Sequence, residues 1–73
     1  MVKPTRVTNS IRMLREQAGL TQAELAKQVG VTRQTIIAIE QGKYSPTLDM
    51  AFRIARVFNV SLDEAFQYAE AEQ

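Results

Sequence analysis

The stretch from Gln22 to Gln41, QAELAKQVGVTRQTIIAIEQ, constrains this chain more than any other. It reads as two short helices joined by a tight turn at Gly30. Leu25, Val29, Val31, Ile36 and Ile39 recur where the inner faces of two crossing helices meet, and Ala26 is small where such a crossing needs close approach. A chain leaving a helix reverses sharply by entering positive φ, which Gly30 does without a Cβ clash. Thr32 is suited to cap the second helix by accepting a backbone N–H bond. The same periodicity leaves Arg33, Gln34, Ile37 and Ala38 on the outer face of that second helix.

The rest of the chain continues the helical pattern. Ile11, Leu14 and Ala18 predict a first helix from about Asn9 to Ala18, stopped by Gly19. Thr21-x-x-Glu24 is a capping box for the second helix. The third starts at Thr32 and ends at Gly42, and QGKYSP is a loop. Pro46 is expected at the start of helix four, where its missing N–H costs nothing. Leu48, Ala51, Ile54, Ala55 and Phe58 mark that helix's inward face, and Asn59-Val60 breaks it. Ser61-x-x-Glu64 is a second capping box, opening a fifth helix through Leu62, Ala65 and Phe66. No strand is expected. The fold class is therefore all-α, a compact five-helix bundle over residues 8–68. Residues 1–7, MVKPTRV, read as a flexible basic arm with room for some extended structure, and residues 69–73 as a frayed acidic tail.

Composition removes several function classes. Seventy-three residues make one small domain, and 45% apolar residues suffice for a core of mainly Leu, Ile, Val and Ala. With no cysteine there is no disulfide or thiolate metal site, and with no histidine the usual zinc ligand and general base are missing. Ser10, Ser45 and Ser61 lack a histidine to activate them. The expectation is a protein that is not an enzyme and takes no metal or cofactor. No apolar run is long enough for a membrane and no secretory leader is visible, so the cytoplasm is the expected compartment. Charge is divided along the chain. Residues 1–43 carry seven basic and three acidic side chains, a net +4, and residues 44–73 carry two against five, a net −3. A basic end opposite an acidic one suits a nucleic-acid face opposite a different kind of face; an ordinary mixed surface is the alternative.

Two helices crossing at a tight turn are the arrangement by which a second helix enters the major groove of double-stranded DNA. The outer face of the helix Thr32–Gln41 carries suitable chemistry. Arg33 can donate two bonds to guanine O6 and N7, and Gln34 can pair with adenine N6 and N7. Ile37 and Ala38 donate nothing but can pack on thymine methyl groups. The bland alternatives are a solvated helix face for Arg33 and Gln34, and a core or protein contact for Ile37.

With the motifs IRMLREQAGLTQAELA, VGVTRQTIIAIEQGKYSPTL and AFRIARVFNVSLDEAF, the chain resembles the lambda-repressor/Cro helix-turn-helix regulators, the XRE family, over roughly residues 8–66. The resemblance implies a transcriptional regulator, typically a repressor, working as a homodimer on a palindromic operator. It implies base contacts from Arg33, Gln34, Ile37 and Ala38, although family members often carry a polar residue where Ile37 or Ala38 stands. It implies phosphate contacts from Gln22, which also props the recognition helix, and from Thr32, Thr35 and Lys43, while Thr32 is a cap regardless of DNA and Lys43 can be a plain loop charge. It further implies an ion pair between Arg15 and Glu40, structural if buried and of little weight if exposed. Phe52, Val57, Phe66 and Tyr68 are candidates for the dimer interface, with Phe52 and Phe66 as core residues the alternative. An antitoxin or other partner-binding module on the same fold is the competing function.

Overall fold

The computed structural model describes residues 6–69. The expected arm before Arg6 and tail after Ala69 lie outside the described residues. In chain order the elements are β1 (Val7–Asn9), α1 (Ile11–Ala18), α2 (Gln22–Val29), α3 (Arg33–Glu40), α4 (Leu48–Val57), α5 (Leu62–Ala65) and β2 (Phe66–Tyr68). The five expected helices are all present among the described residues.

Their ends follow from local chemistry. At α2 the Thr21–Glu24 box closes in both directions: the Glu24 N–H donates to Thr21 Oγ1 at 3.0 Å, and the Thr21 N–H to Glu24 Oε1 at 2.8 Å. Gly30 ends α2 at φ +88°, and its N–H donates to the Ala26 carbonyl at 2.8 Å. Thr32 caps α3 by accepting from the Thr35 N–H. At α5 the Ser61 N–H donates to Glu64 Oε1 at 2.8 Å, while the Ser61 hydroxyl donates to Asp63 at 2.6 Å. The break after α4 falls at Asn59, which takes φ +57°, a conformation asparagine tolerates better than most residues.

Four expectations need correction. First, the chain does hold strands: β1 and β2 pair antiparallel, with Val7 opposite Tyr68, Thr8 opposite Gln67 and Asn9 opposite Phe66. The Ser10 N–H to Ala65 carbonyl bond and the Ala69 N–H to Arg6 carbonyl bond flank this ladder. Val7 thus belongs to the fold rather than to an arm. Second, α5 stops at Ala65, and Phe66 turns to extended backbone at φ −131°, ψ 142°. Third, Pro46 precedes helix α4 instead of opening it, because Thr47 is the cap, accepting from the Met50 N–H at 3.2 Å. Fourth, Leu48, expected in the core, is 70% exposed, because it lines an open groove beside Ala51 and Phe66. Ala18 is likewise exposed.

The core is formed by Ile11, Leu25, Ala26, Val29, Ile36, Ile39, Ala51, Ile54, Ala55, Ala65 and Phe66, with Leu14, Val31, Val57 and Phe58 packed at its margin. Helices α2 and α3 cross through Leu25, Ala26, Val29, Ile36 and Ile39, all at most 3% exposed. Asn9 ties the sheet to this crossing. Its Nδ2 donates to the Ile39 carbonyl at 2.8 Å, and its Oδ1 accepts the first N–H of α1, that of Ile11, at 3.1 Å. No helix among the described residues is long and apolar enough to cross a membrane.

Candidate nucleic-acid interface

The exposed side of α3 begins one residue after its cap. Arg33 and Gln34 are exposed on the first turn, where helix geometry directs side chains away from the α2 crossing. Ile37 and Ala38, one turn further on, are half-buried. Burial of Ile36 and Ile39 on the opposite side forces this placement, so the outward stripe is polar at its leading end and apolar behind.

A cleft of about 640 Å³ opens beside this stripe, lined by the end of α1, the start of α2 and the face of α3. Arg12, Arg15 and Arg33 border it, together with Gln22, Ile37 and Glu40. The first N–H groups of α2 have no partner within the helix, and a helix N-terminus beside arginines favours an anion.

Charge in the cleft is ordered by one buried pair. Arg15 Nε donates to Glu40 Oε2 at 2.8 Å and Nη2 to Oε1 at 3.4 Å, with the two side chains 12% and 6% exposed. Arg15 Nη1 also donates to the Leu20 carbonyl at 3.0 Å, joining the end of α1 to the approach to α2. The hydrogen bond to Glu40 raises the Arg15 pKa above the ordinary guanidinium value, against the opposing effect of burial. Glu40 Oε1 accepts a further bond from Gln22 Nε2 at 3.1 Å, and Gln22 Oε1 accepts from Arg33 Nη2 at 3.4 Å.

The expected phosphate-contact residues divide. The Gln22 side chain is half-buried and held by Glu40 and Arg33, which leaves its backbone N–H, at the first position of α2, as its group for an anion. The hydroxyls of Thr32 and Thr35 lie 3.1 Å apart and bond to each other. Lys43 is exposed beyond the end of α3, its N–H fixed on the Ala38 carbonyl at 3.0 Å. Arg33, Gln22 and Glu40 come together with Arg15; Lys43 stands apart from the cleft lining.

The four residues expected at a dimer interface also divide. Phe66 is 9% exposed and belongs to the core, because β2 turns that side chain inward. Val57 is half-buried against the core. Phe52 and Tyr68 are 51% and 66% exposed. Leu48, which the sequence placed in the core, is four residues from Phe52 and shares its helix face. A groove of about 520 Å³ with a mainly apolar wall runs beside it, between the start of α4 and β2, and Tyr68 lines it on the same strand face as Phe66.

Sequence reasoning missed Arg12 in the cleft, Asn9 under α3, and Arg53, whose Nη1 donates to the Val29 carbonyl at the end of α2 at 3.4 Å. It also missed the bond from Gln22 to Glu40, although the resemblance implies that Gln22 props the third helix. For Asn9, Gln22 and Arg53 there is no local signal, since the partners lie 11 to 30 residues apart.

Comparison with known proteins identifies the family. The chain matches the helix-turn-helix family HTH_3 over residues 11–64. It is 50% identical over 64 residues to an uncharacterized HTH-type transcriptional regulator of Methanocaldococcus jannaschii, covering 88% of this chain and 97% of that one. It is 36% identical over 59 residues to the antitoxin HipB of Escherichia coli, covering 81% of this chain and 67% of that one. Among solved structures it is similar to the P22 c2 repressor in complex with a synthetic operator, with a TM-score of 0.70 at 28% identity, covering 73% of this chain and 80% of that one. The chain belongs to the XRE-type helix-turn-helix family, a family of DNA-binding transcriptional regulators and not of enzymes.

Proposed function

We propose that the protein is a sequence-specific regulator of transcription, a repressor, that reads the major groove of double-stranded DNA with α3. The observation that carries this reading is the exposed pair Arg33 and Gln34 on the first turn of α3, beside a cleft bordered by three arginines and the N-terminus of α2. Arg33 and Gln34 supply hydrogen-bonded readout, and Ile37 and Ala38 supply apolar contact to thymine methyls. Phosphates are held by the α2 N-terminus at Gln22, by Thr32 and Thr35 at the α3 N-terminus, and by Lys43. The structure of the P22 c2 repressor with its operator supports this class of ligand. The protein works in the cytoplasm, with no cofactor.

One such helix reads only a few base pairs, so the working unit is a homodimer on a palindromic operator, with half-sites about 34 Å apart. Leu48, Phe52 and Tyr68 form its apolar surface, with Val57 at the margin; the arginine-bordered cleft shares no lining residue with the groove beside them. Selection of bound sequences from random duplex DNA tests the reading. The expected result is a two-fold-symmetric site, and Arg33→Ala then loses discrimination at one guanine by about 1–3 kcal/mol while binding random duplexes nearly as before. Equal losses on both duplexes reduce Arg33 to a phosphate contact.

A second reading is favoured by the similarity to HipB, named as an antitoxin. In that case the apolar groove takes a protein partner, and the DNA-binding face serves autoregulation. Co-expression with candidate neighbouring genes and recovery of a stoichiometric complex supports it; a free homodimer that alone occupies the operator speaks against it.

A further inference from the structure

The half-buried amide of Asn9 joins the end of α3 to the start of α1. Its Nδ2 donates to the Ile39 carbonyl at 2.8 Å, and its Oδ1 accepts from the Ile11 N–H at 3.1 Å. Both backbone groups sit at helix ends, where the helix itself offers them no partner. The amide carries one group of each kind, so turning it over would set oxygen against carbonyl at Ile39 and NH₂ against N–H at Ile11. The negative end of the α3 dipole thereby meets the positive end of the α1 dipole around a neutral side chain. The same carbonyl also holds the turn that leaves α3. The Gly42 N–H donates to the Ile39 carbonyl at 3.0 Å, and the Lys43 N–H donates to the Ala38 carbonyl at 3.0 Å. The backbone that carries exposed Lys43 is therefore pinned on two carbonyls of the last turn of α3, one of which Asn9 grips from β1. Eight helical residues span about 12 Å, so Lys43 lies at the opposite end of α3 from Arg33 and the arginine-bordered cleft. An anchor at each end of a helix fixes its tilt, which an anchor at one end does not.

We propose that Asn9 is a positioning residue for the grip on the DNA backbone: by bracing the exit of α3 from the sheet, it places Lys43 on a phosphate. The phosphate contact rests on the DNA reading above; the bracing of the turn is a property of the free protein. Asn9 acts on affinity for any duplex and not on base choice, which belongs to the other end of α3.

The test compares wild type, Asn9→Ser, Lys43→Gln and the double variant. Serine keeps an acceptor for the Ile11 N–H and the same charge, but is too short to bridge to Ile39. Each protein is titrated with the selected duplex and with a random duplex over a range of salt, and amide hydrogen exchange is followed in the free protein. Lys43→Gln is expected to weaken both duplexes alike, about three- to tenfold, and to flatten the slope of log affinity against log salt by about 0.9, the mark of one phosphate. Asn9→Ser is expected to shift both quantities the same way, with the guanine preference unchanged, and to speed exchange at Gly42 and Lys43 while Leu25 and Ala26 stay protected. The double variant is expected to lose no more than Lys43→Gln alone, since Asn9 acts through Lys43. A merely structural Asn9 leaves the salt slope alone and speeds exchange in α2 as well. An unchanged slope in Asn9→Ser therefore overturns the proposal, as does a loss that adds in full to that of Lys43→Gln. If Asn9→Ser fails to fold, Asn9→Asp, of nearly the same shape, supplies the exchange measurement, and a Lys43→Gln slope equal to wild type overturns the proposal without either. Wild type that binds no duplex, but with Gly42 and Lys43 loosened by Asn9→Ser, defeats the DNA reading and supports the bracing.

Discussion

Removing Arg15 is the most informative perturbation of the fold. Arg15→Ala deletes two charge-assisted bonds to Glu40, at 2.8 and 3.4 Å, and the 3.0 Å bond to the Leu20 carbonyl. What remains is the Glu40 carboxylate, 6% exposed, with Gln22 Nε2 as its surviving side-chain donor. Leaving one member of a buried pair uncompensated costs about 3–5 kcal/mol. A domain of this length holds only about 4–11 kcal/mol in total, so the variant is expected to be marginal at room temperature. Glu40→Ala is expected to cost less. Arg15 keeps the Leu20 carbonyl and its long stem can carry the charge into the open cleft. The double-alanine variant is therefore less destabilised than the two single effects together, with a coupling of about 2 kcal/mol. Urea unfolding followed by circular dichroism measures all four proteins, and the midpoints are expected to move at a nearly constant slope. Replacing both members by apolar side chains, Arg15→Met together with Glu40→Leu, is expected to be close to neutral, because shape is kept and no charge is stranded. Additive single effects, with coupling below about 0.5 kcal/mol, would refute the reasoning.

Other expectations follow from different parts of the molecule. Ile54→Ala, at a fully buried position of α4, is expected to cost about 2–5 kcal/mol in thermal or chemical unfolding. Thr8→Pro removes a backbone donor from β1 and is expected to raise hydrogen exchange in β2 while leaving α2 protected. Asp63 is held below its ordinary pKa of 3.8 first by the Ser61 hydroxyl and then by its own backbone N–H. Its carboxylate therefore stabilises the fold above about pH 4, and that contribution is lost as pH falls through the lowered value; Asp63→Asn is expected to flatten the stability profile there. Leu48→Glu with Phe52→Glu is expected to halve the mass of the operator-bound species in sedimentation without unfolding the monomer. An unchanged mass places the dimer contact elsewhere.

The features legible in the sequence were those determined within a few residues. Thr21 with Glu24, Thr32 with Thr35, and Gly30 each fix a helix end by local bonds or local sterics, and each is where the pattern placed it. The sheet was not legible. Val7–Asn9 and Phe66–Tyr68 are three residues each, too short for alternation to show, and their pairing depends on bringing distant segments together. Leu48 misled because periodicity says which side of a helix a residue occupies, not whether anything lies opposite it. At the candidate site, exposure of Arg33 and Gln34 followed from burial of Ile36 and Ile39. The resemblance to the lambda-repressor family supplied the Arg15–Glu40 pair. Neither gave the hydrogen bond from Gln22 to Glu40, because the two residues are 18 positions apart and meet only when α2 and α3 cross.

The Asn9 amide has a consequence for the order in which the molecule assembles. It holds the last turn of α3 at the Ile39 carbonyl, yet Asn9 itself is fixed only once β1 has found β2. The side-chain bond between Ser10 and Gln67 at the end of that ladder spans 57 residues, and such a closure comes late because its entropy must be met before any contact rewards it. On the ribosome, α1 to α4 are complete before Phe66 is made. The third helix is therefore wound early and seated late. Its final turn gains its fixed angle to the rest of the molecule only when the two distant strands meet, so the amides there are expected to open together with the strands rather than with the second helix.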